Sequence, residues 1–265
     1  MKRLIKIVLR LLGLMLVADR LRYHLMKWGN RKSNRAFQKE YPDVVLPPDY
    51  LMYESFRIDY SRYYLNGRKT AEWLINLVKP YLAEPSLDIL DWGCGPARII
   101  RHMPDLLPGE SGFSGSDYNK KSISWCKSYL KGIRFETNDL APPLNFDDSS
   151  FDLVYGISIF THLSEEAHKL WLNELFRVLR PKGVLFLTLH GQIFVSKLDK
   201  RETQLFDQGN LVTRGQVKEG HRTFIAFHPE SFIQKWAEKF EVLNHTPGQV
   251  ISGQAEQDVW IFRKP

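Results

Sequence analysis

Short apolar runs at 87–91, 112–117, 132–137, 151–156 and 184–189 punctuate the middle of the chain, and helical patterns near 97–104, 119–130 and 165–179 separate several of them. Short runs of this kind read as buried strands, and strands alternating with helices build βαβ units and a parallel sheet. A helix near 229–239 and strands near 240–245 and 257–263 follow. Several boundaries have their own chemistry. Asn119 can cap the helix after Asp117, and Ser164 the next one, with Glu165 and Glu166 in its positive first turn. Pro181-Lys182-Gly183 then stops that helix before the strand from Val184 to Leu189. Upstream of the first strand, Ala71, Leu74, Leu77, Val78 and Tyr81 share one helical face. A chain of 265 residues has room for one large α/β domain with an appendage.

The net charge of +7 is unevenly placed. Residues 1–40 carry a balance of +9, so the remaining 225 carry −2. The body therefore lacks the basic signature of a polyanion binder, and nucleic acid is disfavoured as a partner. Cys94 and Cys126 stand alone without paired spacing. That counts against a disulfide framework or a zinc site, and it suits a reducing, cytoplasmic location.

Residues 1–28 read as an amphipathic basic helix. Arg3, Lys6, Arg10, Gly13, Arg20, His24 and Lys27 recur at helical steps, and Leu4, Ile5, Ile7, Val8, Leu11, Leu12, Leu14, Met15 and Leu16 fill the remaining arc. The longest uncharged run, Leu11–Ala18, falls far short of the roughly 20 residues needed to span a bilayer. Leu16-Val17-Ala18 loosely resembles a cleavage site, but Arg10 interrupts the apolar core that a signal peptide needs. Two readings follow: a helix lying on an anionic membrane surface, peripheral on its cytoplasmic face, or a helix packed on the domain or on a second subunit. Residues 29–50, polar and then bearing Pro42, Pro47 and Pro48, read as a linker, and 51–265 as the domain.

The stretch from Leu87 to Arg98 carries the chemistry. An apolar strand ends in Asp91, and Trp92-Gly93-Cys94-Gly95-Pro96-Ala97 leads toward a helix expected to begin near Ala97. Glycines at 93 and 95 let the backbone turn sharply and let a ligand approach closely. A dinucleotide fingerprint would be G-x-G-x-x-G, with glycines that accommodate a pyrophosphate. Here no glycine stands three residues after Gly95, and an acid stands two before Gly93. A carboxylate there repels a pyrophosphate and suits a ligand bearing an ammonium and a sulfonium. The next strand ends in Gly115-Ser116-Asp117-Tyr118, which puts an acid about 20 positions after the loop, well placed to accept ribose hydroxyls.

This arrangement resembles motif I of the class I S-adenosylmethionine-dependent methyltransferases, with Ala97 in place of the family's frequent third glycine. The resemblance extends over roughly 67–190. Asn138-Asp139-Leu140 resembles the segment that recognises the adenine amino group, Phe151 to Ser158 the fourth strand, and Leu179 to Leu185 the approach to the fifth. It implies a Rossmann-like three-layer α/β/α fold with a mostly parallel seven-stranded sheet, its last strand antiparallel, and S-adenosylmethionine as cofactor. The residues it implies at the cofactor are Asp91, Gly93, Cys94, Gly95, Asp117, Tyr118, Asn138, Asp139, Leu140, Ile157 and Ser158. Tyr60, Tyr63, Tyr64, Gly67 and Arg68 precede the first strand, where many relatives fold over the cofactor. There Arg68 would pair with the cofactor's carboxylate and Tyr64 would sit near its sulfonium.

Methyl transfer from a sulfonium needs no proton for the leaving group, so positioning carries most of the chemistry. A base is required for a hydroxyl or protonated amine. His162, just beyond the fourth strand, and His190, at the end of the fifth, are the catalytic candidates, with His221 and His228 further on. The long stretch 191–227, with Glu202, Asp207, Arg214, Lys218, Glu219, His221 and Arg222 among Phe206 and Phe224, reads as an acceptor lid. The basic N-terminus points to a small-molecule, saccharide or lipid-linked acceptor. The Asn/Asp-Pro-Pro-Tyr/Phe signature for amide and base nitrogens is absent after the fourth strand, where Gly156 to Phe160 stand. Two other classes stay open at this point: a nicotinamide-dependent oxidoreductase, and a binding protein that keeps the fold without catalysis.

Overall fold

The computed structural model describes residues 15–82, 86–107, 109–215, 224–251 and 253–265. The chain divides into two compact units, Met1–Arg68 and Lys69–Pro265. In the first, helices α1 (Met15–Gly29), α2 (Arg31–Glu40) and α3 (Asp49–Phe56) precede α4 (Tyr60–Val78), which runs across the boundary. The first half of the expected N-terminal helix lies outside the described residues.

The expected linker is partly helical. α2 (Arg31–Glu40) turns only Asn34 and Phe37 inward, too few apolar residues to leave a periodic trace in so polar a stretch. Hydrogen bonds fix it instead. Asn30 Nδ2 donates to Arg57 O at 2.7 Å, Asn34 Nδ2 to Ile58 O at 2.8 Å, and the Tyr60 amide to Asn34 Oδ1 at 3.1 Å. They hold Arg57 and Ile58 in the left-handed region, at φ 56° and 54°, which β-branched Ile58 would not adopt unaided.

The second unit is built on seven strands: β1 (Asp88–Trp92), β2 (Gly112–Asp117), β3 (Arg134–Thr137), β4 (Phe151–Ile157), β5 (Leu179–Leu189), β8 (Glu241–Thr246) and β11 (Asp258–Arg263). The order is β3-β2-β1-β4-β5-β11-β8, and β11 runs antiparallel to both neighbours. Two small ladders, β6 (Val212–Arg214) with β7 (Ile225–Phe227) and β9 (Val250–Ile251) with β10 (Gln254–Ala255), lie apart from the sheet. Helices α5 (Met103–Leu106), α6 (Lys120–Tyr129), α7 (Glu165–Val178), α8 (Lys200–Asp207) and α9 (Glu230–Trp236) complete the unit. This is the Rossmann-like sheet expected from the sequence. Asn119 caps α6 through the Lys121 and Ser122 amides, and Ser164 caps α7 through the Ala167 amide.

From β1 the chain moves outward to β2 and β3, then returns to the other side of β1 for β4 and β5. The order therefore reverses between β1 and β4. At such a switch point the two following loops part, and a crevice opens beyond the carboxyl ends of the strands. Beneath it lies a core of Leu90, Trp92, Val154, Leu187, Trp171 and Leu175.

α7 is tied to the segment under that crevice by Glu174. Its Oε1 accepts the Leu144 amide at 2.7 Å and pairs with Arg177 at 2.5 Å, with the carboxylate side chain buried. Glu174→Ala leaves the Leu144 amide without its acceptor and takes one of two carboxylates from Arg177, which keeps Asp148, so urea unfolding should give a loss of about 1–3 kcal/mol. Glu174→Gln keeps an acceptor for the amide and should lose less.

Candidate active site

The glycine loop is fastened to the end of β2 by its own amides. The N–H groups of Gly93 and Cys94 both donate to Ser116 O, at 2.8 and 2.9 Å, and the Gly95 N–H donates to Asp117 Oδ2 at 2.9 Å. The other Asp117 oxygen accepts the Asn119 amide at 2.7 Å. Gly93 and Gly95 have φ of +79° and +52°, which glycine reaches without strain. A Cβ on Gly93 would lie 2.2 Å from Ile159 Cδ1, whereas one on Gly95 would meet nothing within 4 Å.

No α-helix begins at Ala97. That residue is itself left-handed, at φ 59°, and regular structure resumes only with a 3₁₀ turn at Ile100–His102 and the short α5. A left-handed residue cannot start a right-handed helix, and Pro104 at the beginning of α5 has no N–H to join it to the turn before. The helix expected near Ala97, and with it a helix N-terminus at the loop, is therefore absent among the described residues here.

An open cleft of about 470 Å³ lies beside the loop, lined by Trp92, Gly93, Asp117, Tyr118, Asn138, Asp139, Leu140, Ile159, His162, Leu163 and Trp171. Seven of the expected site residues meet there: Gly93, Asp117, Tyr118, Asn138, Asp139, Leu140 and His162. Tyr118 stands half exposed at its rim. Asn138 Oδ1 is buried and has no hydrogen-bond donor among the described residues, while its Nδ2 donates to Asp139 O at 2.7 Å. Burial pushes the Asp117 carboxyl up from its ordinary value, and the Asn119 and Gly95 amides oppose that.

Other expected residues lie elsewhere. Asp91 does not line the cleft; it is buried beneath the loop. Burial pushes it up to about 7, opposed by the Tyr155 hydroxyl and the Arg98 guanidinium and reinforced by Asp117. Cys94 is also buried, its Sγ against the Gly95 carbonyl at 3.5 Å, so its side chain is packing under the loop. Ile157 ends β4 and Ser158 follows it, and neither lines the cleft. Ser158 is left-handed, at φ 63°, and sits in a hydroxyl–amide network. Its amide donates to Thr188 Oγ1 at 2.8 Å, its Oγ accepts Gln257 Nε2 at 2.7 Å, and Thr161 Oγ1 lies 2.9 Å away. Tyr64 and Arg68 belong to the first unit, where the Tyr64 ring packs near Phe37 and Tyr41.

The histidines divide. His162 Nδ1 lies 2.7 Å from Phe224 O. A carbonyl only accepts, so Nδ1 carries the proton and Nε2 of the neutral ring keeps its lone pair. His190 likewise bonds Ala226 O at 3.1 Å and stacks on Phe194, but it is not among the cleft's walls. Burial is the main cause that lowers it to about 4. His228 is buried with Nε2 3.0 Å from His168 Nε2, a structural pair. His221, Arg222, Lys218 and Glu219 lie outside the described residues. The rest of 191–227 is more than a loop: Phe194, Phe206, Val212 and Phe227 form a small core of their own, and Glu202 pairs with Arg214 while boxing Asp199 at the start of α8.

Sequence reasoning missed Trp92, Ile159, Leu163 and Trp171. Each is an apolar residue on an element whose pattern announced only a core. A signal existed for Trp171, whose indole N–H needs a partner when buried and donates to Leu140 O at 2.9 Å.

The lining suits a neutral or cationic nucleoside and not a pyrophosphate. The three loop amides are already engaged, and the walls hold two carboxylates, Asp117 and Asp139, with no Lys or Arg among them. Asn138, one of the lining residues, also holds a buried acceptor without a donor among the described residues, its Oδ1.

Residues 89–183 match the family model of the methyltransferase domain. A "Probable S-adenosylmethionine-dependent methyltransferase" of Mycolicibacterium smegmatis is 28% identical over 109 residues, 41% of this chain and 40% of that protein. The tRNA N(3)-methylcytidine methyltransferase trm140 of Schizosaccharomyces pombe is 23% identical over 198 residues, 70% of this chain and 62% of that one. The chain thus spans less than two thirds of the length of either relative. Among solved structures, a methyltransferase of Methanosarcina mazei superposes with a TM-score of 0.54 at 22% identity, covering 71% of this chain and 96% of that one. The magnesium protoporphyrin IX methyltransferase of Synechocystis, solved with bound SAH, gives 0.52 at 15%, covering 91% and 98%.

Two expectations follow from the loop. Gly95→Ala should fold with a loss of only about 1–2 kcal/mol, the cost of a left-handed alanine, because its methyl meets no atom. Gly93→Ala should lose more in the same chemical unfolding experiment, since Ile159 must move. Asp91 is protonated more readily folded than unfolded. Its contribution to stability is complete below about pH 4 and is lost as pH rises through about 7. Urea unfolding across that window should show a fall on the order of a few kcal/mol that Asp91→Asn abolishes.

Proposed function

We propose that this chain, which belongs to the class I S-adenosylmethionine-dependent methyltransferase family, transfers a methyl group from S-adenosylmethionine to a small-molecule, saccharide or lipid-linked acceptor on the cytoplasmic side of a membrane. The observation that carries the reading is Asp117. Its carboxylate is held at the cleft wall by the Gly95 and Asn119 amides and keeps lone pairs for two hydroxyls. When bound, S-adenosylmethionine supplies an electrophilic methyl on a sulfonium, whose displacement needs no acid.

The chain's own residues supply the rest. Asp117 accepts the ribose hydroxyls, Asn138 Oδ1 and Asp139 accept from the adenine amino group, and Tyr118 covers the ring at the rim. Gly93 and Gly95 let the nucleoside approach the backbone. Asp91 acts from beneath the loop, as a carboxyl whose ionisation a nearby cation would favour. Ile159, Leu163 and Trp171 exclude water at the far end of the cleft. His162 Nε2, made the free acceptor by the Nδ1 bond to Phe224 O, takes the proton of a hydroxyl or ammonium acceptor. Because that carbonyl belongs to the segment leading into β7, the 191–227 subdomain acts as a lid that also sets the base's tautomer.

A dinucleotide reading would need loop amides free for phosphate and a basic or neutral wall, and this lining offers neither. The relative that methylates tRNA raises a nucleic-acid acceptor, but the balance of −2 over residues 41–265 gives no sink for a polyanion.

Calorimetry with S-adenosylhomocysteine tests the cofactor half. Wild-type protein should bind it, Asp117→Asn should weaken binding at least tenfold, about 1.4 kcal/mol, and His162→Gln should leave it within twofold. A radiolabelled methyl screen against polysaccharide and lipid-precursor fractions tests the acceptor half. There His162→Gln should lower turnover of any hydroxyl acceptor about a hundredfold. No heat with the wild type, or full affinity in Asp117→Asn, would overturn the reading.

A further inference from the structure

α1 presents an apolar face that no described residue covers. Val17, Leu21, Leu25 and Trp28 are 63%, 59%, 58% and 75% exposed. At 100° per residue they fall within one arc of about 80°. The opposite side of the helix is the one held by protein. Tyr23 packs edge-on against Tyr53 at 5.4 Å, and the Tyr53 hydroxyl donates to Asp19 Oδ1 at 2.7 Å. Large apolar side chains this exposed, and contiguous, mark a surface that meets something other than water.

The charges on either side say what. Arg20, His24 and Lys27 border the stripe along one edge and Arg22 along the other, and all four are exposed. Arg22 lies 5.8 Å over the Tyr53 ring and Lys27 pairs with Asp49 at 2.7 Å, so both are held at the shoulders of the face. The helix's own acid, Asp19, is on the far side, and α2 adds exposed Arg31, Lys32 and Arg35. Residues 1–14, outside the described structure, continue the composition with four Lys/Arg and no Asp/Glu. An apolar stripe between basic shoulders, with a tryptophan at its end, fits the boundary between acyl chains and anionic headgroups. A second copy fits poorly: pairing two such faces would set Arg20, Arg22 and Lys27 against their like. No helix among the described residues is long and apolar enough to cross a membrane, so the contact is with the surface.

We infer that α1 seats this protein on an anionic lipid bilayer, with Val17, Leu21, Leu25 and Trp28 in the interfacial layer and the flanking cations on the headgroups. The inference deepens the lipid-side branch of the proposed function but stands on different residues.

Sedimentation of the full chain with vesicles decides it. Phosphatidylcholine vesicles should recover little protein, and vesicles that also contain phosphatidylglycerol should recover at least tenfold more, an excess that high salt removes. A Leu21→Glu/Leu25→Glu variant should lose at least tenfold of that binding. Trp28→Ser, in case the double variant folds poorly, should lose severalfold, with unchanged helical circular dichroism and unchanged S-adenosylhomocysteine affinity. Equal recovery on both vesicle types, or full binding by both variants, would overturn the inference. So would a wild-type dimer in gel filtration that Leu21→Glu/Leu25→Glu converts to monomer, since the face would then belong to a second copy. Vesicle binding without S-adenosylhomocysteine binding would sink the proposed function and leave this inference standing.

Discussion

The site depends on three backbone amides. The N–H groups of Gly93 and Cys94 converge on Ser116 O, and that of Gly95 on the Asp117 carboxylate, so the loop after β1 is stitched to the last residues of β2. This has two consequences that oppose each other in an ordinary nucleotide site. The loop becomes rigid without a ligand, because its donors already have acceptors. It also loses the ability to cradle a phosphate, because a donor engaged with a carboxylate is not free for a second anion. What remains is a turn with glycine backbone on its open side and a fixed carboxylate at its edge, selective by shape and sign for an uncharged or cationic nucleoside.

The two acids of the motif have separate positions and separate physics. Asp117 is at the cleft wall, satisfied by two amides, and still has lone pairs to offer. Asp91 is below the loop with a neighbouring hydroxyl and guanidinium but no wall of its own, and burial holds its carboxyl near 7. Asp117 adds to the cost of ionising Asp91, on top of burial. A buried carboxyl of that kind ionises more readily once a positive charge comes near it.

β1, β4 and the Val184–Leu189 part of β5 were legible because they are buried on both faces and so read as nearly unbroken apolar runs. The caps Asn119 and Ser164 were legible for a local reason, a polar side chain just ahead of a helical pattern. The errors share a different origin. α2 is held by amide side chains reaching residues 57 and 58, a distance that local periodicity does not register. The helix expected at Ala97 fails because a left-handed alanine intervenes, and nothing in its sequence neighbourhood distinguishes that alanine from a helix former. Asp91 and Cys94 were read as facing a ligand because a motif reports spacing, whereas facing is decided by which way the turn folds. Trp92 and Trp171 were invisible as site residues since a tryptophan in a core and one at a cleft's floor have the same pattern.

The far side of the cleft is governed by an interlock between the loops after β1 and β4. Ser158 adopts a left-handed conformation that costs about 1 kcal/mol for a residue with a Cβ. Bonds to Thr188, Thr161 and Gln257 offset that cost, and Thr188 Oγ1 in turn donates to Gln257 Oε1 at 2.6 Å. The resulting bend delivers Ile159 against the glycine at 93 and starts the 3₁₀ turn that brings His162 to the wall. Gly93 is therefore required twice, once for its φ and once for Ile159. Gln257 comes from the segment entering β11, on the far side of β5 from β4. The antiparallel end of the sheet thus reaches across β5 to set the position of the candidate base, and the segment leading into β7, through Phe224 O, sets its tautomer. The loops after β1 and β4 thus meet where Ile159 packs on Gly93, so a change in either loop is felt in the other.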